Sequence, residues 1–219
     1  MTKTIFISKL IALALLFGSY SLSAWGQNAS NPSVNAQLLV AARESNLEGV
    51  IQSLERGAAP NSRNRLGKTS LYIAIEKNNL PIFKQMLAVG ADVNLPSLEK
   101  VTPLIAAAYA GNPTMVALLI EKGAKLEEED RLHKSALVYA AGMGHTKVVE
   151  QLLNAGALID AAYIDGLTPL MWAAGQGHSE TVRLLLSKGA NKILKDERGL
   201  IAWEIAKEAG HSDIAAMLQ

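Results

Sequence analysis

The 219-residue chain has no cysteine, which excludes a disulfide framework, a cysteine-ligated zinc site and a thiol nucleophile. It also lacks a dominant charge. With 21 Lys+Arg against 20 Asp+Glu the formal charge is +1, too little for a general nucleic-acid binder. The apolar run near its start, Leu10 to Phe17, spans eight residues, whereas a membrane-crossing helix needs about 20. What remains is 49% hydrophobic and 19% charged, the balance of a packed globular chain rather than a disordered one.

Lys3 and Lys9 precede that apolar run, and small and polar residues follow it. This is the layout of a secretory signal peptide over residues 1–26. Cleavage after Gly26 places Ala24 and Gly26 at the two small-residue positions, and cleavage after Ser23 uses Ser21 and Ser23; Gln27 is the expected mature N-terminus. An uncleaved N-terminal anchor is the alternative, disfavoured by length. Removing Lys3 and Lys9 leaves 19 basic and 20 acidic residues. A bacterial periplasmic location is therefore expected, secretion being the alternative, with no stable membrane anchor after cleavage. A cysteine-free chain suits such an oxidising compartment.

From about residue 34 onward the chain repeats itself every 33 residues. Gly-Ala recurs at Gly57, Gly90, Gly123, Gly156 and Gly189, and alanine at 41, 74, 107, 140, 173 and 206. Val116, Leu119 and Ile120, like Val149, Leu152 and Leu153, stand at i, i+3 and i+4, one apolar face of a helix. The Gly of each Gly-Ala falls where a left-handed residue ends that helix. Thr69, Thr102, Ser135 and Thr168 are placed to cap an earlier helix, with Pro103 and Pro169 at its first position. The alanine column lies on this first helix, where small side chains let neighbours approach closely. Each unit thus reads as helix, tight turn, helix and extended loop.

These units, with Thr102-Pro103-Leu104, Thr168-Pro169-Leu170, Gly144-His145, Gly177-His178 and the five Gly-Ala pairs, resemble ankyrin repeats. The resemblance implies an all-α solenoid with extended, hairpin-like loops. After a linker over residues 27–33, an N-terminal capping repeat (34–66) precedes four full repeats (67–99, 100–132, 133–165, 166–198) and a C-terminal capping repeat (199–219). In the first cap Ser53 stands where Met86 and Leu119 stand later. One departure concerns the His that follows Thr-Pro-Leu in the family: here the position holds Tyr72, Ile105, Val138, Met171 and Glu204. The loop hydrogen bonds that His carries must come from elsewhere.

Little in the chain offers catalysis. His145, His178 and His211 recur at the repeat period, but equivalent positions in stacked units lie about 8–10 Å apart, whereas zinc ligands converge to about 2.1 Å from one ion. They are read as turn-stabilising residues, and His133 as an exposed one. Gly67-Lys68-Thr69 lacks the upstream glycine of a phosphate loop, Ser62 standing there. No nucleophile elbow or His-Glu-x-x-His motif occurs. The run Glu127 to Asp130 is read as a solvated or partner-facing loop, without the alternating ligands of a calcium site. No cofactor and no metal site is expected. An enzyme built on loop carboxylates and His133 is the remote alternative, and a purely structural scaffold a third.

The resemblance implies protein binding through the loop tips and the exposed, concave face of the first helices. Carried onto this chain it selects Arg63, Arg65, Leu98, Glu99, Val101 and Tyr109; Glu129, Arg131, Leu132, Lys134 and Met143; and Ile164, Asp165, Leu167, Gln176, Glu197 and Arg198. Leu98, Val101, Leu132, Ile164, Leu167 and Leu200, with Tyr163 nearby, either form an exposed apolar ridge or tuck between adjacent loops. Trp172 reads as first-helix packing, with a partner anchor as the alternative. Residues 34–90 hold seven basic and four acidic side chains and residues 91–165 six and ten, a field that would orient a partner along the solenoid. The expectation is an exported, monomeric protein-binding module: an accessory or protective partner of another exported protein, or an inhibitor or immunity protein that occludes a toxic exported enzyme.

Overall fold

The computed structural model describes residues 32–219. The expected signal peptide, its cleavage site and most of the 27–33 linker lie outside the described residues. Helix α1 opens at Pro32, within the last residues assigned to that linker.

The described residues form six helix pairs and no strand. The pairs are α1 Pro32–Arg43 with α2 Leu47–Glu55, α3 Ser70–Glu76 with α4 Leu80–Ala88, and α5 Pro103–Tyr109 with α6 Pro113–Glu121. Then follow α7 Ala136–Gly142 with α8 Thr146–Asn154, α9 Pro169–Gly175 with α10 Ser179–Ser187, and α11 Ala202–Glu208 with α12 Ser212–Leu218. None of these helices is long and apolar enough to cross a membrane. First helices pack on first helices and second on second, each unit touching its neighbours, so two parallel layers enclose one continuous core. The apolar stripe read from the sequence is buried: Phe83, Met86, Val116, Leu119, Val149, Leu152, Val182 and Leu185 are inaccessible to solvent. Each such side chain contributes about 1.5–3 kcal/mol. The alanine column is buried between first helices along its whole length.

Helix starts follow the expected chemistry with one exception. Thr69, Thr102 and Thr168 accept hydrogen bonds from the backbone N–H three residues on, satisfying one otherwise orphaned donor. Ser135 occupies the same cap position but makes no cap bond; its hydroxyl donates to the Tyr163 phenol at 2.6 Å instead. The position after Thr-Pro-Leu still supports the helix start in two units. Met171 Sδ accepts from Thr168 N–H, and Glu204 Oε2 accepts from Ile201 N–H at 3.0 Å. Each Gly of the Gly-Ala column has φ between 77° and 100°, as its place beyond the second helix requires.

The turn between paired helices changes chemistry halfway along the chain. Asn46, Asn79 and Asn112 cap the second helix through their own side chains. In the same column His145, His178 and His211 make no side-chain cap bond. The imidazoles reach back one unit: His145 Nε2–H donates to Tyr109 O at 3.0 Å and His178 Nε2–H to Gly142 O at 2.9 Å. The turn-stabilising role read for these histidines is thus exercised between units by His145 and His178.

Two ladders tie the loops together. Side-chain oxygens of Asn61, Asn94, Glu127 and Asp160 accept from the backbone N–H of Asp92, Lys125, Leu158 and Asn191 in the following unit, at 2.8–3.0 Å. The fifth position is Ile193, which has no acceptor and is 70% exposed. At the tips, Leu98 N–H donates to Leu66 O, Arg131 to Glu99 O and Glu197 to Asp165 O. Within each loop a backbone bond such as Ser97 N–H to Val101 O closes a hairpin. The last unit ends the core differently from the inner ones. Trp203, in the column of the buried Leu71, Leu104, Leu137 and Leu170, is half-buried, with Lys207 Nζ 5.7 Å from its ring centre.

Candidate functional site

A groove of about 590 Å³ runs where the loops meet the first helices, lined by Tyr72, Glu76, Val101, Ile105, Ala106, Tyr109, Ala110 and Tyr139. Helices α3, α5 and α7 supply its floor because their small buried alanines bring the three axes close and leave the larger side chains along one edge. Tyr109 and Tyr139 meet edge to face, ring centres 5.6 Å apart at 88°, the arrangement their quadrupoles favour. Tyr139 is pinned from below by its hydroxyl, which donates to Asp130 Oδ2 at 2.5 Å.

Asp130 departs from the solvated loop expected for residues 127–130. It is buried, and its Oδ1 accepts from Leu132 and Lys134 N–H. A buried carboxylate is tolerable because three donors replace its water. The other three acids of the run are also engaged: Glu127 in the loop ladder, Glu128 with Lys125 at 3.3 Å and Glu129 with His133 Nδ1 at 3.1 Å. Asn64 and Asp196 build the same loop turn as Asp130, each accepting from two backbone N–H groups. Burial works against the Asp196 charge, but the hydrogen bonds from Leu200 N–H and Arg198, and the Arg198 guanidinium itself, outweigh it and lower the carboxyl pKa.

Two phenols of the groove, those of Tyr72 and Tyr139, resist ionisation. Burial first, then the Glu76 charge, push Tyr72 up to about 12. Tyr139 is raised further, by burial and by its bond to Asp130. Tyr163, beneath the tips, is raised chiefly by burial. Two lysines lie over the aromatic rings. Lys68 Nζ is 5.2 Å from the Tyr72 centre, and Lys134 Nζ is 4.1 Å from Trp172 and 5.6 Å from Tyr139. These are cation–π distances.

Among the residues selected from sequence, Val101 and Tyr109 line the groove, and Lys134 borders it over Tyr139. Beyond Trp172 a second, shallower depression gathers Leu167, Gln176 and Arg198. Met143 is exposed at the end of α7. At the tips, Leu98, Leu132 and Ile164 are 53%, 56% and 42% exposed, joined by Leu66 at 59%. Val101, Leu167 and Leu200 pack half-buried against the core, and Tyr163 is buried. The apolar set is therefore divided: one residue of each tip faces out while its neighbour tucks in. Arg63 folds back, its Nε donating to Gly67 O and its Nη2 to Pro96 O, and so ties two loops. Glu99 and Arg131 pair across loops at 3.7 Å, and Glu129 is taken by His133. Arg198 bonds Asp196 and Glu208. Arg65, Asp165 and Glu197 are exposed at the tips.

Sequence reasoning missed Tyr72 and Tyr139 as groove residues and Asp130 as the carboxylate that holds Tyr139. The signal was present in the repeat columns. Between Ala106 and Gln176 the exposed edge of the first helices carries Tyr109, Ala110, Tyr139, Gly142, Met143, Trp172 and Gly175, with no charged residue, whereas the flanking units place Glu76, Lys77 and Glu208 there. Among the described residues no group of His, Asp and Glu is arranged to hold a metal ion.

A search of individual curated proteins finds no match. The family model described as Ankyrin repeats (3 copies) matches residues 38–130, 71–163 and 137–219, which together cover the six helix pairs from within α1 onward. Repeats of this kind generally serve as protein-binding modules rather than catalysts, and the chain belongs to the ankyrin-repeat family.

Proposed function

We propose that this chain is an exported protein-binding module that acts as an accessory or protective partner of another exported protein. The observation that carries the binding reading is the uncharged edge of α5, α7 and α9, where Tyr109, Tyr139, Met143 and Trp172 stand beside a groove large enough for side chains of a partner. Exposed aromatic and Met residues in a depression are the composition of interface hot spots. The exposed tips at Leu98, Leu132 and Ile164 extend that surface. Export is supported by Lys3, Lys9, the Leu10–Phe17 run and the small residues Ala24 and Gly26. The periplasm is the proposed compartment, and the chain works there as a monomer until it meets its partner.

Two measurements test this. Fractionation with N-terminal sequencing should recover the protein outside the cytoplasm with Gln27 first; recovery in the cytoplasm with residues 1–26 intact defeats the export reading. Cross-linked capture with the tagged gene product should retain one protein that is lost from the Tyr109→Ala and Met143→Ala variants. Retention indifferent to both variants, or none at all, defeats the binding face. Whether the captured protein's activity is sustained or suppressed on binding separates an accessory role from an inhibitory one.

A further inference from the structure

Lys68 and Lys134 occupy the same place in their units, two repeats apart. In the earlier unit the lysine has a complete environment: Lys68 Nζ lies over Tyr72 and bonds Glu76 Oε1 at 2.5 Å. In the later unit the residue in the position of Glu76 is Gly142. Lys134 Nζ accordingly has no ion pair among the described residues; it is half-buried and stacked on Trp172 and Tyr139. Asp130 lies in the same loop, but its oxygens are already committed to Leu132 N–H, Lys134 N–H and the Tyr139 hydroxyl. A lysine drawn out of bulk water by two aromatic rings, beside a bare glycine where its counterpart's carboxylate sits, is an electrostatically incomplete copy of the Lys68–Glu76 arrangement.

We infer that the partner completes it: a protein segment bearing an Asp or Glu seats that carboxylate over Gly142 against Lys134, with an adjoining apolar side chain in the groove beside Tyr109. The inference rests on the binding reading above and names the partner's chemistry. The intramolecular pair supplies the geometry, since the carboxylate enters where the Glu76 side chain lies two units earlier. A neutral floor with one unpaired cation favours an acidic-apolar segment and penalises a basic one. Gly142 also has room for the test. A Cβ there meets Trp172 Cε3 at 3.7 Å and Cβ at 3.8 Å, ordinary contacts, so Gly142→Glu installs the missing carboxylate within the chain itself.

The experiment pans a random 12-residue peptide library on the full gene product and on its variants, each checked for an unchanged helical spectrum. Peptides selected on the native protein should be enriched in Asp or Glu next to a large apolar residue. Their affinity should fall about tenfold or more in Lys134→Gln and in Gly142→Glu, and Lys134→Glu should select Lys- or Arg-bearing peptides instead. Peptides lost in Tyr109→Ala but without acidic enrichment, or indifferent to Gly142→Glu, overturn this inference and leave the binding face standing. A library that yields no binder sensitive to Tyr109→Ala or Met143→Ala overturns both.

Discussion

Asp130 and Tyr139 show how single residues set the groove. The Tyr139 hydroxyl is one of three donors on a buried carboxylate, and Tyr139→Phe removes it without changing shape. Hydrogen bonds to charged groups contribute about 1.5–3 kcal/mol, so urea unfolding should show a loss of that order and a looser Glu129–Lys134 loop in hydrogen exchange. Raised phenol pKa values carry a pH signature of definite sign. A group harder to ionise when folded stabilises the fold fully below its unfolded value of about 10, and that contribution is lost as pH rises through the folded value. Tyr72, pushed to about 12, and Tyr139, raised further, should therefore weaken the fold progressively above about pH 10. Tyrosinate absorbance should show three late-ionising phenols, Tyr163 among them, of which two vanish in turn from Tyr72→Phe and Tyr139→Phe. At the acid end, Asp196 has the opposite sign. Its lowered carboxyl pKa adds stability present above the ordinary 3.8 and lost as pH falls through the folded value, a dependence that Asp196→Asn should abolish.

At the scale of the helix pair, the tight turn is the element most exposed to error. Gly144 has φ +71°, and a Cβ there lies 2.5 Å from His178 Nδ1. Gly144→Ala thus meets two obstacles, a left-handed backbone costing about 1–2 kcal/mol and the ring that bonds Gly142 O. Combining it with His178→Ala removes the second obstacle only. The double variant should be less destabilised than the two single losses added together, a coupling that denaturant unfolding resolves. The opposite case is His178→Asn, which gives up the bond between units but installs the cap used by Asn46, Asn79 and Asn112. A cap is worth about 1 kcal/mol, similar to a hydrogen bond, so this change should be close to neutral. These elements were legible in sequence to different degrees. The 33-residue columns located every pair of helices, because periodic burial and glycine placement are local properties. Ser135 escaped, because its capping bond is traded for one to Tyr163, 28 residues away. The column from Asn46 to His211 was equally visible as spacing, but spacing does not say that a side chain has turned from its own helix to its neighbour's carbonyl.

Across the whole molecule, stability accumulates unit by unit, since each pair touches only those beside it. The groove lies among inner units, each flanked by a neighbour on both sides. The fold was readable and the site only partly so because the columns report what repeats, whereas the site consists of departures such as Tyr109, Gly142 and Trp172, each meaningful only against the residue it replaces. The loop tips give the same logic a testable form. Backbone bonds join Leu66 to Leu98, Glu99 to Arg131 and Asp165 to Glu197, but among the described residues none joins Leu132 to Ile164. At that junction Tyr163 takes the place of the Asx residue that organises the Asn64, Asp130 and Asp196 loops, and Asp165 and Gly166 both adopt positive φ. The ladder of tips is therefore divided beside the groove, between the second and third full repeats. Amide exchange should be faster at Ile164 than at Leu98, Arg131 and Glu197, its equivalents in the other loops, whose N–H groups each donate to the preceding tip. Replacing Tyr163 with Asp supplies acceptors for the N–H groups of Asp165 and Leu167, as Asp130 does for Leu132 and Lys134. It also surrenders the buried ring and its bond to Ser135. Slower exchange at 164–167, with a lower unfolding free energy, is the expected result; unchanged exchange in those residues would show that Tyr163 is not what divides the tips.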